Sequence, residues 1–590
     1  MAKPDYRAIK QECTKSASRM FGRFQRQKRE MLLEICREYY PLGVPGLVRG
    51  VEEFADEYPY DEDHRLLTLK PLDAVRKGAC GFHGHLTAPT QRWFRLALPY
   101  FAKNMPGLDS EAVSKLLDDL TSATEWTFRH GHIYAPLYKL YEHILVAGFG
   151  CMLITPDKER VARATTLRLG TYALESGADG RVNRMVRKFS WTAGQVLEGF
   201  ASAAIPQDVK EAAKKGNGVK RWIVYNIIEP NQTGDRANYD PVSRELKRLK
   251  AFKDATWRSV YWLEKAKDSD PQSGVLQVSA YDYCPLIAPR LDFEIGDTYG
   301  RGRGQDGLDL ARGAQSFKYD ILNISGRRSE PPVVASTELK DEGLSLARGA
   351  VNYARFGESR EALVMPAIAQ MPDSGDAREC LNDAGQEIGD LFFNSSFATI
   401  DAMKNNPGVK TATEVDALIR ENMERLNPII TNLDAELLDP LVYAIAHLTV
   451  ASGAISHIEN ANVKMLSNVT IEYVSQIHLA AKRSQIGTLD AYLERIGNLA
   501  KAKIETIDNV NMDVLAADYA EMMGVPMDII NSEEERTKIR DERAKQEAAM
   551  ARMEQLKAMG ETAGKVGAIP TDPQHAGGAI AQSITGGVPA

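Results

Sequence analysis

Apolar residues recur at helical spacing in the first part of the chain. Between Phe24 and Tyr39 they fall on one side of a highly charged segment, which predicts a long amphipathic helix. The apolar residues of that side are Met31, Leu32, Ile35 and Tyr39. Prolines and glycines between residues 41 and 46 end the helix. A second helix is predicted from Asp109 to Arg129, where Asp109 or Ser110 can cap the first turn.

The spacing changes from helical to alternating after Cys151. Residues 167–173 alternate, a turn follows at Asp179-Gly180, and residues 182–188 alternate again, which predicts a β-hairpin. Three further β-rich segments follow at 222–228, 255–263 and 275–283. The middle of the chain is therefore predicted to hold a small α+β module.

Helical spacing returns after Ala311 and dominates to the end of the chain. Thr411 followed by Glu414 has the spacing of a capping box, which opens a predicted helix that ends near Leu426. Residues 405–408 separate this helix from a preceding one. The apolar residues of the preceding helix are Ile388, Leu391, Phe392 and Phe397.

The segment after Ser532 is a predicted helix with almost no apolar face. Ser532 and Glu535 have a second capping-box spacing, and the helix continues to about Met559 with seven acidic and seven basic residues. A helix that is polar all round needs an external reason to persist. Two interpretations stay open: a solvated helix held by ion pairs, or a helix that packs against copies of itself. After Gly560, glycine, alanine and small polar residues predict a disordered tail.

Composition indicates a folded, globular chain. It has 590 residues, of which 44% are hydrophobic and 26% charged, with a formal net charge of -7. This acidity argues against a protein that coats nucleic acid with a basic surface. No apolar run is long enough to span a bilayer, and the residues after Met1 lack a secretory signal, so we expect synthesis and folding in the cytoplasm. The six cysteines lie far apart and are predicted to be buried small hydrophobes.

Motifs for catalysis or cofactor binding are weak. Gly302, Gly304 and Gly307 have dinucleotide-loop spacing, but no clear βαβ unit surrounds them, so a loop that starts a helix is favoured. There is no phosphate-binding P-loop spacing. The histidine pairs at 83/85 and 130/132, with His143, lack an acidic partner at a diagnostic spacing. We therefore expect no enzyme activity, no cofactor and no metal site.

Charge is unevenly distributed along the chain. Residues 381–440 contain eleven acidic and four basic residues, whereas residues 181–221 contain nine basic and three acidic ones. The simplest interpretation of either segment alone is a solvated face. Together they indicate that the chain is electrostatically segregated.

Six short segments in a consistent order resemble one protein family. They lie at 33–42, 84–96, 148–154, 168–172, 299–302 and 411–415, with 436–438 further downstream. Within them, the residues that we single out are Leu86, Pro89, Trp93, Phe94, Gly170, Tyr172, Gly300, Gly302, Thr413 and Glu414. Over roughly residues 33–453 the chain resembles the head-to-tail connecting (portal) proteins of short-tailed bacteriophages.

The resemblance implies a helix-rich α+β portal fold with wing, stem, clip and crown regions. The implied regions are a helical wing with the β-hairpin (1–189), a first stem helix region (190–218), an α+β clip (219–300), a second stem helix (301–330), a wing and tunnel-loop region (331–378), long broken helices of wing and crown base (379–505), a crown or helical barrel (506–559) and a disordered tail (560–590).

The resemblance also implies a function and partners. The chain would form a ring, a dodecamer, at the portal vertex of the virion, through which double-stranded DNA enters the head and leaves it. Its partners would be the large terminase, tail adaptor and tail tube proteins, the major capsid protein and the scaffolding protein, with no membrane insertion. An acidic wall would let DNA slide, and the candidate channel-facing acids are Glu387, Asp390 and Asp401.

Two other functions remain open from the sequence. One is a nucleotide-dependent DNA-processing enzyme built on the loop of Gly302, Gly304 and Gly307. The other is a capsid-associated scaffold that has no central hole. Stabilisation by a nucleotide would favour the enzyme, and imaging of the particle would separate the scaffold from the ring.

Overall fold

A computed structural model of the chain describes most of the residues before position 480 and one helix near the C-terminus. The described residues are 4–48, 66–97, 110–216, 220–232, 239–329, 333–335, 364–366, 373–398, 425–453, 469–478 and 533–566, except 254, 268 and 476, together with scattered positions between 489 and 519. The chain divides into two compact units, Met1–Ser484 and Gln485–Ala590.

The N-terminal helices form one continuous rod. Helix α1 (Tyr6–Phe24) continues through a π-helical turn (Gln25–Arg29) into α2 (Glu30–Tyr39). A 3-10 turn (Pro41–Gly43) and the short α3 (Val44–Val48) follow. The helix predicted between Phe24 and Tyr39 is confirmed, and the rod begins earlier than predicted, where Asp5 caps it by accepting from the backbone N–H of Arg7 and Ala8.

Three further helices complete the N-terminal core. Helix α4 (Lys70–His85) is followed by the short strand β1 (Phe94–Ala97), then by α5 (Ser110–His130) and α6 (Tyr134–Ala147). Helix α5 confirms the prediction for residues 109–129. Helix α6 packs against α4 and ends at Gly148, whose φ of +81° lies in the left-handed region that favours glycine.

The central part of the chain forms two antiparallel sheets. The smaller sheet pairs β2 (Met152–Asp157) with β3 (Val161–Thr166) and with β9 (Leu286–Ile287). The larger sheet has the order β4-β5-β6-β7-β8. Its strands are β4 (Tyr172–Ser176), β5 (Val182–Thr192), β6 (Arg221–Pro230), β7 (Trp257–Leu263) and β8 (Val275–Tyr281).

The predicted hairpin and β-rich segments therefore belong to a single sheet. Strands β4 and β5 pair as predicted, with Ala173 opposite Val186. The first strand begins later than predicted, because residues 167–171 form the connection from β3 and Gly170 adopts a φ of +86°. Strand β5 then pairs with β6, where Val186 lies opposite Ile227, so the hairpin and the clip segments share one sheet.

The segment expected to contain a first stem helix is made of short pieces. Strand β5 runs through residues 189 and 190, and two short helices follow, α7 (Ala193–Gly199) and α8 (Gln207–Lys214). These helices pack over one end of the large sheet in a small separate core that includes Val196, Val209 and Trp222. Beyond β6, the short α9 (Pro241–Leu246) packs against α1.

Helices resume after the sheet. The four-residue α10 (Arg303–Asp306) leads into α11 (Leu308–Ser329), which packs against α12 (Gly375–Leu391). Residues 425–433 are helical and continue through a π-helical turn (Asp434–Leu438) into α13 (Asp439–Ala451). Short strand pairs join β10 (Val333–Ala335) to β11 (Val364–Pro366), and β1 to β12 (Thr470–Tyr473). Helix α11 confirms the helix expected after Gly307. The start of the helix expected from Thr411 and its break at 405–408 lie outside the described residues, but its expected end near Leu426 is wrong, because residues 425–433 are helical through Asn427 and Pro428.

The C-terminal unit contains the long polar helix. Helix α14 (Glu533–Val566) confirms the prediction and runs past the expected end at Met559. Side chains from Thr537 to Met553 are exposed, which is compatible with either interpretation of this helix. The rest of the predicted tail, after Val566, lies outside the described part of the chain.

The cysteine prediction is correct for part of the set. Cys13, Cys36 and Cys151 are buried and Cys284 is half-buried. Cys80 and Cys380 are exposed, so the prediction is wrong for these two, which lie on the solvent side of α4 and α12. Among the helices that the structure describes, none combines the length and the apolar character needed to cross a membrane.

Candidate functional site

Helix α12 carries a row of exposed carboxylates. At about 100° per residue, its five acids fall within roughly 80° of one another around the helix axis. These acids are Asp376, Glu379, Asp383, Glu387 and Asp390, and all are exposed. The buried side of the helix carries Leu381, Ala384 and Ile388. We call the five acids the acidic row.

The acidic row contains two of the three predicted channel-facing residues. Glu387 and Asp390 form its C-terminal end, and Asp401 lies outside the described residues. Arg378 is the only basic residue within α12. The Cβ atoms of helical residues three and four apart lie about 5–6 Å from each other, so the fields of these carboxylates add and the surface repels phosphates.

The helix that carries the acidic row is tied to the N-terminal core. The Lys70 ammonium donates to the carbonyl of Leu381 (3.0 Å) and to the side-chain oxygen of Asn382 (2.9 Å). Its partner α11 is held by Gln315, whose Oε1 accepts from the backbone N–H of Leu67 at 2.8 Å. The exposed carboxylates therefore stand on a helix whose opposite face is fixed.

The glycines of the supposed dinucleotide loop are packed against backbone. A Cβ on Gly302 would lie 2.3 Å from the amide nitrogen of Gly148, and one on Gly304 would lie 2.6 Å from the carbonyl oxygen of Val146. A Cβ on Gly307 would lie 2.6 Å from the Tyr39 hydroxyl oxygen. The space beside each glycine is occupied by the chain itself, so a pyrophosphate has no room there.

These glycines allow two backbone segments to approach each other closely and do not provide an unusual backbone conformation. Gly302 and Gly307 have φ of −101° and −97°, which other residues adopt freely. What these positions require is therefore the absence of a side chain and not an unusual φ. Gly300 has the same role as Gly302, since a Cβ there would lie 2.2 Å from the carbonyl oxygen of Gly148.

A buried ion pair fixes the segment that precedes these glycines. The Arg290 side chain is almost completely buried, and its Nε and Nη2 donate to the two carboxylate oxygens of Glu436. Its Nη1 donates to the carbonyl of Asp297 at 2.7 Å. Glu436 lies in one of the segments that carry the family resemblance, but Arg290 was missed. The available signal was a lone arginine within the apolar run 285–291.

Four of the family-motif residues build the core around β1. Leu86, Trp93 and Phe94 are buried, whereas Pro89 is half-buried. The Trp93 indole N–H donates to the Tyr134 hydroxyl at 3.3 Å. These residues hold the fold together and offer no chemistry to a ligand.

The remaining motif residues are structural or lie outside the description. The Tyr172 ring is buried and packs nearly perpendicular to the Phe149 ring, and burial raises the pKa of its phenol. Gly170 supplies the left-handed residue just before it. Thr413 and Glu414 fall outside the described residues.

The basic segment 181–221 is partly neutralised in the large sheet. Arg184 lies between Glu175 (3.3 Å) and Glu229 (3.5 Å). Arg187 donates to the Asn226 side chain at 3.1 Å and to the Tyr261 hydroxyl at 3.0 Å. The exposed bases are Arg181, Lys214, Lys215 and Lys220. The basic surface is therefore smaller than the sequence count suggested.

The candidate metal histidines point to different neighbours. His85 stacks on Phe397 and His130 stacks on Trp126. His143 is buried with its Nε2 3.3 Å from the Tyr40 hydroxyl, and burial, helped by the positive charges of Lys139 and Arg168, lowers its pKa to about 3. Burial also lowers the pKa of His83. In the described ranges, no three His, Cys, Asp or Glu side chains are grouped so as to hold a metal ion.

Comparison with known proteins identifies the family. A model of the family described as "Bacteriophage head to tail connecting protein" matches residues 18–530. The "Probable portal protein" of Bordetella phage BPP-1 is 26% identical over 517 residues, which cover 87% of this chain and 88% of that protein. The "Portal protein" of Salmonella phage epsilon15 is 26% identical over 522 residues, with the same coverage of 87% and 88%.

The solved structures add a distant likeness only. A chain from the "Virion of native gene transfer agent (GTA) particle" is matched over 72% of this chain and 88% of that one, with 11% identity and a TM-score of 0.31, which is too low to argue from. The family match spans far more than half of the sequence. The chain is therefore a member of the family of bacteriophage head-to-tail connecting proteins, and it functions as a portal protein.

Proposed function

We propose that copies of this chain form a closed ring, a dodecamer, at the portal vertex of a short-tailed phage, through which double-stranded DNA enters the head and later leaves it. The observation that carries the proposal is the family match over residues 18–530. Two relatives of similar length bear the name portal protein. The ring catalyses no reaction. It provides a channel for the DNA and an attachment site for its partner proteins.

The acidic row gives a physical reason why DNA would slide freely through the ring. Binding to DNA is dominated by cations that displace counterions from phosphates, so a wall that held many phosphates would stall the duplex. We infer that Glu387 and Asp390, at the end of α12, face the channel, together with Asp401. Repetition of these carboxylates around the ring would centre the duplex by repulsion from all sides.

The partners follow from the position at the vertex. Within the head the ring would contact the major capsid and scaffolding proteins, and outside it the large terminase would dock first. Tail adaptor and tail tube proteins would then replace the terminase. The α+β clip, built on strands β6 to β8, is the region that we assign to this exchange.

The proposal is tested by complementation of a phage whose own copy of this gene is disrupted. Supply of the intact chain should restore heads that contain nuclease-resistant DNA, whereas cells without it should accumulate empty heads. Filled heads in the absence of the chain would contradict the proposal. Filled but tailless heads in its absence would assign the chain to tail attachment alone.

A further inference from the structure

One turn of the N-terminal unit presents an isoleucine entirely to solvent. Ile295 has a relative exposure of 104%, the highest of the large apolar side chains in the described residues. It lies between Glu294 and Gly296 at the tip of the segment 292–297. Single exposed apolar residues are common on protein surfaces. This one differs because its backbone is held in place.

The turn that carries Ile295 is fixed from inside the protein. The Asp297 N–H donates to the Glu294 carbonyl at 3.0 Å, which closes the turn. The buried Arg290 donates to the Asp297 carbonyl at 2.7 Å and lies over the Phe293 ring, 3.6 Å from its centre. The apolar tip is therefore a rigid projection, with the Glu294 carboxylate beside it. We call residues 292–297 the Ile295 turn.

A cleft on the same unit has the complementary character. It has a volume of about 850 Å³ and lies between the start of α6, strand β3 and the residues after α2. Its lining is mainly apolar and aromatic, and it includes the cations Lys139, which is paired with the buried Glu142 at 2.8 Å, and Arg168. The lining residues used here are Tyr40, Leu42, Tyr134, Tyr138, Lys139 and Arg168. Leu42 is 52% exposed, so apolar surface is open to solvent there.

The Ile295 turn does not fill the cleft of its own chain. The cleft runs along α6 from Tyr134 to His143, whereas the turn lies beyond the C-terminal end of the helix, where the Gly148 carbonyl accepts from the Leu291 N–H at 2.9 Å. Ile295 is fully exposed and is not among the residues that line the cleft.

We propose that the Ile295 turn of one copy inserts into the cleft of the next copy around the ring. Ile295 would enter between the tyrosines and Leu42, and Glu294 would approach Lys139 and Arg168. A contact between two different surfaces of identical chains generates a ring when the rotation closes. This inference rests on the proposed ring and specifies part of its subunit contact.

Cross-linking tests the contact directly, because the cleft has a native thiol nearby. Cys80 is exposed, and its Sγ lies 3.9 Å from the hydroxyl of Tyr138. The full-length Ile295→Cys variant, in a Cys380→Ser background, is treated with a short bismaleimide. A denaturing gel should show a ladder of dimers, trimers and higher species, because each copy offers one thiol at each surface.

Two variants control for chance cross-links. Ile295→Cys combined with Cys80→Ser and Cys380→Ser should give no ladder above dimers, and the Cys380→Ser protein should behave in the same way. If rings are visible by electron microscopy but the Ile295→Cys variant gives no ladder, this contact is wrong and the ring stands. If the intact chain forms no rings at all, both proposals fail.

Charge exchange provides the second measurement. Glu294→Lys should raise the concentration needed for ring assembly by tenfold or more, because it places a cation beside Lys139 and Arg168. Arg168→Glu in the same chain should restore at least part of the assembly, whereas Lys139 is left unchanged because it pairs with the buried Glu142. An assembly threshold that is unchanged by Glu294→Lys, or a double variant worse than both single ones, would overturn the contact.

Discussion

Arg290 and Glu436 form an ion pair that joins parts of the chain 146 residues apart. The guanidinium nitrogens Nε and Nη2 and the Arg290 backbone N–H all donate to the Glu436 carboxylate. The side chains are 2% and 11% exposed. The pair fixes the segment 285–302, which carries both the Ile295 turn and the glycine contacts with Gly148, onto the π-helical turn before α13.

Loss of one partner of this pair should be costly. Glu436→Ala leaves a buried guanidinium without its counter-charge, and such changes destabilise proteins by about 3–5 kcal/mol. Unfolding in urea, followed by tryptophan fluorescence, measures the effect. The control is Glu34→Ala, which breaks the half-exposed pair with Arg312 at 3.1 Å and should cost less than about 1 kcal/mol. If the two variants lose the same free energy of unfolding, the buried pair stabilises the fold no more than the exposed pair does.

The glycine contacts predict a sharp difference between two Gly→Ala substitutions. Gly302→Ala should destabilise the fold, because its Cβ would lie 2.3 Å from the Gly148 nitrogen and neither backbone can move freely. Gly84→Ala, within α4, meets nothing within 4 Å and should stabilise the helix by about 0.5–1 kcal/mol. Thermal unfolding of both full-length variants checks this. A Gly302→Ala protein as stable as the parent would contradict the packing described here.

The acidic row predicts a defect in DNA transfer when its charge is reversed. Glu387→Lys combined with Asp390→Lys should reduce nuclease-resistant DNA per head, because cations at the channel wall hold phosphates. The control is Asp119→Lys with Glu159→Lys, which makes the same change in net charge at exposed positions on α5 and after β2. If the first variant packages and releases DNA as well as the intact chain does, Glu387 and Asp390 do not face the channel.

Buried histidines predict a loss of stability in acid. Burial lowers the pKa of His143 to about 3, against about 6.5 in an unfolded chain. Between these values the unfolded state binds more protons than the folded one, so stability falls as the pH decreases from about 6.5 toward 3, by up to about 1.4 kcal/mol per pH unit. The stability of the intact chain at pH 6.5 and pH 4.5 should differ more than that of His143→Gln. Equal differences for the two proteins would contradict the buried, neutral state of His143.

Local periodicity predicted the elements well, because the apolar residues of a helix or a strand recur at a short, regular spacing along the sequence. The helix at 110–130 and strands β4 to β8 were all visible in this way. The alignment of the acidic row was also readable, because its spacings of three and four need only the sequence. The contacts of Arg290 with Glu436 and of Gly302 with Gly148 were not predictable. They join distant segments, and a single sequence carries no record of which segments meet in space.

The count of charges along the sequence overestimated the basic surface for a related reason. Residues 181–221 have a basic excess, but Arg184 and Arg187 are paired within the sheet with side chains of other strands. A count along the sequence treats every charge as exposed. Only cross-strand pairing shows which charges remain for the surface.

Electron microscopy of the purified full-length chain is the most direct test of the central claim, that identical copies close around a passage for DNA. The account predicts single particles that average to a hollow disc with twelve-fold symmetry. A sample that contains only compact monomers under every assembly condition, or solid particles with no central opening, would contradict it.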